Sequence, residues 1–205
     1  ELGIRPNPAG VAGAALRLDG DELELLSITL DGLPLAPAAY EVSATSLTVL
    51  SPPQRPFRLT VETRINPTAN TKLMGLYRSS GVYCTQCEAQ GFRRITYFLD
   101  RPDVLATYRT RIEADAAAVP VLLGNGNMIE RGTLGRGRHY AVWTDPFPKP
   151  CYLFALDAYW QSRYRESLRK PDPKGTTAVG EAVPQTPPAG PIRRRMEAPA
   201  GRSPF

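Results

Sequence analysis

Histidine is nearly absent: the 205 residues hold one, His139. A zinc peptidase centre of the H-E-x-x-H kind needs two histidines one helical turn apart, so this chain does not carry one. Cysteine is scarce too. Cys84, Cys87 and Cys151 are too few for a disulfide framework. No stretch approaches the ~20 apolar residues of a membrane-spanning helix. The opening ELGIRPNPAG has neither the basic start nor the apolar run of a secretory signal. There is no G-x-S-x-G, no phosphate-binding glycine loop and no paired-carboxylate signature. These absences predict a soluble, cytoplasmic chain with no membrane partner and no catalytic centre of its own.

Charge is present but unevenly placed. Residues 1–156 hold 16 Lys+Arg against 15 Asp+Glu, whereas residues 157–205 hold 9 against 5. The basic character therefore belongs to the tail. The body has no basic stripe, which argues against a nucleic-acid partner.

Proline is abundant, at 21 residues, and proline breaks helices and central strands. What lies between the prolines alternates. FRLTVETR places Phe57, Leu59 and Val61 on one face and Arg58, Thr60 and Glu62 on the other, the period of a half-buried strand. DELELLSITL sets Leu26, Ile28 and Leu30 on one face, and Asp31-Gly32 follows as a hairpin turn. YEVSATSLTVLS and TYRTRIEAD continue in the same style. RGRHYAVW leads into a proline-rich turn, TDPFPKP, and CYLFAL reads as a short buried strand. Short strands punctuated by Gly, Asn and Pro predict an all-β sandwich over residues 1–156. After Leu156 the pattern changes. LDAYWQSRYRESLRK has helical spacing, predicting a short helix over 157–170. From Pro171 onward few large apolar residues remain, which predicts a disordered tail.

The stretch CTQCEAQGFRR, from Cys84, concentrates the chemistry. Cys84-x-x-Cys87 is half of a zinc site, but only Cys151 and His139 remain to complete it, in no compact motif. A thioredoxin-like role needs an α/β setting, and the surroundings are β-rich. Two small cysteines packed in a loop is the simpler reading. His139, in a predicted strand, reads as structural. Gln86 and Glu88 sit two apart in an extended segment, so both can face one side. A carboxylate beside a carboxamide is a cradle for an ammonium group; two solvated polar side chains is the ordinary alternative.

NTKLMGLYRSSGVYCTQCEAQGFRRITYFLDRPDV, together with LRLDG, VLLGNGN and GRHYAVWTDPFPKPCYLFAL in the same order, strongly resembles the N-terminal domain of the aminopeptidase N family, the zinc metallo-aminopeptidases of the gluzincin group. The resemblance spans roughly Leu16 to Leu156. It implies a saddle-like β-sandwich that docks on a thermolysin-like catalytic domain. It also implies that Gln86 and Glu88 line the pocket for the substrate's first residue, with Glu88 helping to hold the free α-amino group. Zinc belongs to the full family enzyme, and the implied partners are a peptide N-terminus and the catalytic domain.

The departures are as informative. Asp157 onward does not match the family, the G-A-M-E-N and H-E-x-x-H motifs are absent, and Gln90 stands where the family often has Glu. The first strands of the domain are expected to be missing before Leu16. The chain therefore reads as a fragment with an unrelated, frame-shifted tail, inactive and without zinc by itself. It is expected to expose an apolar docking face and to fold marginally. The rival expectation is a non-catalytic β-sandwich that binds peptides or proteins, with a basic Pro-rich tail.

Overall fold

The computed structural model describes residues 1–159 and the strand Arg193–Glu197. Its strands follow in chain order: β1 (Leu2–Ile4), β2 (Leu16–Asp19), β3 (Glu24–Leu30), β4 (Leu33–Pro34), β5 (Tyr40–Val42), β6 (Ser46–Val49), β7 (Phe57–Arg64) and β8 (Gly75–Ser79). The second half adds β9 (Val82–Gln86), β10 (Leu105–Asp115), β11 (Val121–Gly124), β12 (Asn127–Leu134), β13 (Arg138–Pro150), β14 (Leu156–Tyr159) and β15 (Arg193–Glu197). All pairings are antiparallel, as expected for an all-β chain whose strands alternate in polarity.

Two sandwiches result, each with its own core. In the first, the sheet β1-β7-β3-β4 packs on β2-β6-β5. Ile28, Phe57 and Leu59 from one sheet meet Leu18, Leu47 and Val49 from the other. In the second, β12-β13-β10-β15 packs on β11-β14-β9-β8. Its core joins Tyr108, Ile112 and Ala141 to Leu76, Tyr83 and Leu156. The segment from Cys87 to Asp100 runs between the two. Phe92, Ile95 and Phe98 enter the second core, while Tyr97 enters the first. Phe92 is fully buried, with edge-on rings of Phe98 and Phe154 at 5.0 and 5.2 Å, a geometry that adds to area burial.

The alternation of Phe57 and Leu59 appears as read. The two-residue turn Asp31-Gly32 has φ of 49° and 85° and joins Leu30 to Leu33, as a right-twisted hairpin requires. Leu26 departs from the reading. A bulge between Leu25 and Ser27 turns Leu25 inward with Ile28 and Leu30, and leaves Leu26 40% exposed. The proline-rich TDPFPKP is not a turn: β13 runs through it. Pairing with β12 ends at Thr144, so Pro146, Pro148 and Pro150 lie beyond the ladder with β12, where a missing N–H is tolerated. CYLFAL is not one strand; Cys151–Leu153 forms a single 3₁₀ turn before β14.

A strand also precedes Leu16, since β1 pairs with β7 through Leu2↔Leu59. The predicted helix 157–170 does not start where expected, because Asp157–Tyr159 belong to β14; its remaining residues lie outside those described. Within the tail expected to be disordered, Arg193–Glu197 forms β15 along β10. The rest of that tail lies outside the described residues.

Charged groups bind the middle segment to the first sandwich. Arg94 is buried and its guanidinium bonds both Asp21 and Glu22, in the loop after β2. Lys72 joins from the opposite side, 2.5 Å from Glu22. Hydrogen bonds from Arg94, then Lys72, lower the Glu22 carboxyl from its ordinary 4.5 to about 2. A depressed folded-state value means stability present above the unfolded value and lost as pH falls toward the folded one. The melting-temperature gap between the parent chain and Glu22→Gln is therefore expected to be full at about pH 6 and to close between about pH 4.5 and 2. A gap that stays constant over that window contradicts the assignment.

Candidate functional site

β9 delivers the site. Along it Tyr83 faces the core and Gln86, its last residue, is exposed. Cys87 then drops back into the core at 2% exposure, and Glu88 emerges again. The buried Cys87 side chain is the pivot that leaves its two polar neighbours in solvent. Glu88 is not extended as expected from sequence: it opens a turn, Glu88 to Gly91, that leads into the 3₁₀ turn Phe92–Arg94. The Glu88–Ala89 peptide is cis. Gln86 and Glu88 are nevertheless brought together, since Gln86 Nε2 donates to the Glu88 carbonyl at 3.2 Å. That bond occupies the amide nitrogen and leaves Gln86 Oε1 as an acceptor. Among the described residues no group bonds the Glu88 carboxylate.

The turn closes on itself. Gly91 N–H donates to the Cys87 carbonyl at 2.8 Å. A Cβ on Gly91 would stand 2.3 Å from the Gln86 carbonyl oxygen and 2.9 Å from Cys87 Cα. Both are backbone atoms, which cannot step aside as a flexible side chain would. Gly75, paired with Gln86 across the β8–β9 ladder, fills the other side of the same space.

Asp100 holds the far end of the segment. Its carboxylate is 1% exposed and accepts from Arg93 twice, from the backbone N–H at 3.1 Å and from Nε at 2.9 Å. The Cys151 thiol donates to its other oxygen at 3.0 Å. The Asp100 N–H in turn donates to Asp19 Oδ2 on β2 at 3.2 Å. A backbone bridge between Asp19 and Phe98 runs beside it, at 2.7 and 3.0 Å. Asp100 thus ties the segment to both sandwiches, through its carboxylate to Cys151 and through its backbone N–H to Asp19. The buried carboxylate is tolerated because a guanidinium and hydrogen-bond donors surround it. Sequence reasoning noted the Arg93-Arg94 pair without giving it a role and missed Asp100. The available signal was an Arg-Arg pair and an Asp flanking the apolar run ITYFL.

The remaining candidates are engaged elsewhere. The His139 ring lies 2.7 Å from the Val119 carbonyl through Nε2, a structural bond. Burial, then the bond to Asp100, pushes the Cys151 thiol well above its ordinary range, opposite to what a metal ligand needs. Cys84 is half-buried on β9, opposite Tyr77 and Asp157, and its bond to Tyr77 pushes that phenol upward. Cys87 lies in the core. Among the described residues no group of three or more His, Cys, Asp or Glu side chains is arranged to hold a metal ion, so the donor set does not fit zinc.

The geometry makes Gly91 a control point for the pair. Gly91→Ala is expected to destabilise the chain by roughly 2 kcal/mol, as overpacking against fixed backbone does, and to disorder Gln86 and Glu88. Chemical denaturation and amide exchange at 86–91 check this. An unchanged midpoint with unchanged exchange contradicts it.

The Peptidase M1 N-terminal domain family model matches residues 26–153. Aminopeptidase N of Caulobacter vibrioides is 54% identical over 158 residues, covering 77% of this chain and 18% of that protein. A crystal structure of Legionella pneumophila aminopeptidase A, determined with aspartic acid, superposes with a TM-score of 0.72 at 40% identity, over 76% of this chain and 18% of that one. The M1 zinc metallopeptidase of Deinococcus radiodurans shares the fold, with a TM-score of 0.62 at 20% identity over 71% of this chain and 34% of that one. The chain spans about 18% of the length of the Caulobacter relative. The resemblance read from the motifs around Cys84 is thereby established: this chain belongs to the Peptidase M1 N-terminal domain family.

Proposed function

We propose that these residues form the part of a zinc aminopeptidase that recognises the free amino end of a peptide, with Gln86 and Glu88 as the anchor. The observation that carries this reading is the Cys87 pivot. It leaves a carboxylate without a partner among the described residues beside an amide whose nitrogen is already bonded. An α-ammonium has donors and a positive charge to offer; the Glu88 carboxylate supplies charge and the Gln86 Oε1 a second acceptor. An acylated peptide end offers one N–H and no charge, which leaves the carboxylate unsatisfied once water is excluded.

Hydrolysis is proposed for the whole enzyme. A zinc ion bound by that enzyme would supply Lewis-acid activation of water. The reading is supported by what the relatives are: an aminopeptidase N, an aminopeptidase A with aspartic acid bound, and an M1 zinc metallopeptidase. Peptide catabolism in the cytoplasm is the setting we propose. It is supported by three cysteines that remain thiols. No described helix is long and apolar enough to cross a membrane. The catalytic domain is the proposed partner, and exposed apolar side chains such as Ile129 and Phe147 are of the kind a partner domain covers. The rival, a binding module steered by a basic tail, has less support, because Arg193–Glu197 lies along β10.

Isothermal titration of the 205-residue chain with a tripeptide amide and its N-acetyl twin tests the anchor. The free-amine peptide is expected to bind weakly. Acetylation or Glu88→Gln should each reduce affinity roughly tenfold or more, the scale of one charged hydrogen bond. Equal binding of the twin, retention in Glu88→Gln, or binding of neither peptide contradicts the reading.

A further inference from the structure

β10 has the character of an interior strand. It is eleven residues long, and Tyr108, Thr110, Ile112 and Ala114 on its inward face are all buried, Ile112 completely. One edge is paired with β13 from Leu105 to Asp115. The other edge has none of the usual protections: no proline, no inward-pointing charge, no short length. Its register shift lies at Ala106–Tyr108, near one end, so the stretch Arg109–Glu113 is regular. A long regular edge of this kind is a template on which an extended segment adds as a further strand through main-chain hydrogen bonds.

The chain itself supplies the occupant. Arg193–Glu197 runs antiparallel along Arg109–Glu113. The register sets Glu197 opposite Arg109 and Arg193 opposite Glu113. Arg195 falls opposite Arg111, whose charge is already taken up by Glu113 at 2.7 Å and by the Tyr140 ring beneath it. A segment too poor in apolar residues to fold by itself can still order here, because β10 supplies the hydrogen bonds.

We propose that the outer edge of β10 is a strand-acceptor site, and that the chain's own Arg193–Glu197 is its occupant: a displaceable cap that keeps the edge from pairing with other chains. The site accepts an extended basic segment in antiparallel register. Arg109 to Glu113 supply the backbone partners. This is independent of Gln86 and Glu88, so either assignment can fail without the other.

The test uses the full chain carrying Arg194→Pro and Arg195→Pro. Neighbouring positions alternate in a ladder, so one of the two prolines removes a main-chain donor that β10 needs. Amide exchange at Arg109–Glu113 is expected to rise roughly tenfold or more on the edge-facing positions, and the variant to self-associate with rising concentration. A synthetic peptide of residues 190–200, GPIRRRMEAPA, added in trans should restore both protection and the monomer. A control with Thr176→Pro and Thr177→Pro should match the parent, which separates loss of the cap from a general effect of proline. Equal exchange in parent and double-proline variant overturns the proposal. So does failure of the peptide to restore protection. Protection in the parent that appears only with dimerisation also overturns it, since the strand would then come from a second copy.

Discussion

The buried carboxylate of Asp100 is the interaction on which the arrangement depends. It faces Arg93 within the segment and Cys151 at the foot of the second sandwich, while the main-chain N–H of the same residue reaches Asp19 in the first. A lone carboxylate at that depth would be costly. Paired with a guanidinium and saturated with donors, it becomes a fixed point instead. Its removal would leave Arg93 poorly compensated and the Cys151 thiol without its acceptor, and the main-chain bond to Asp19 would then sit on a less firmly held segment. Two sandwiches with separate cores, joined by one ordered segment, need such a point if their relative placement is to be defined.

The candidate site inherits its rigidity from that segment. Gln86 and Glu88 lie at its leading end, before Phe92 enters the core and Arg94 is clamped by Asp21 and Glu22. Gly91 lets the backbone double back on Cys87 with no room to spare. An exposed carboxylate on a loose loop would gain little from an ammonium in water, where the ion pair is weak. A carboxylate on a clamped turn is in place before a ligand arrives, and a partner domain that excludes water would strengthen it. On the proposed reading, counting from a peptide's amino end is a matter of where this turn is held. The chemistry of bond cleavage lies with groups outside it.

Much of the fold could be read from alternation, and the misses have local causes. Phe57 and Leu59 fall on the buried face because nothing interrupts the ladder of β7. Leu26 does not, because one extra residue in β3 reverses the parity before Ile28, and a bulge leaves no mark in a hydrophobic pattern. The prolines of TDPFPKP suggest a turn, yet that portion of β13 lies past its ladder with β12. The strand Arg193–Glu197 was invisible to composition, since its order comes from β10 and not from its own residues. Gln86 and Glu88 were legible as a pair two residues apart. Their conformation was not, because the turn depends on Gly91 meeting Gly75, sixteen positions earlier in the chain. The partners of Asp100 lie as far as 81 residues away, and no local pattern announces them.

Asp100→Asn in the full chain, followed by residue-resolved amide exchange, tests this junction. Faster exchange is expected at two places at once, the turn 86–91 and the loop 19–22, because the carboxylate fixes Arg93, which follows the turn and whose carbonyl accepts from the Asp21 N–H at 3.0 Å. If exchange rises at neither, or at only one of the two, Asp100 is not the point that joins them.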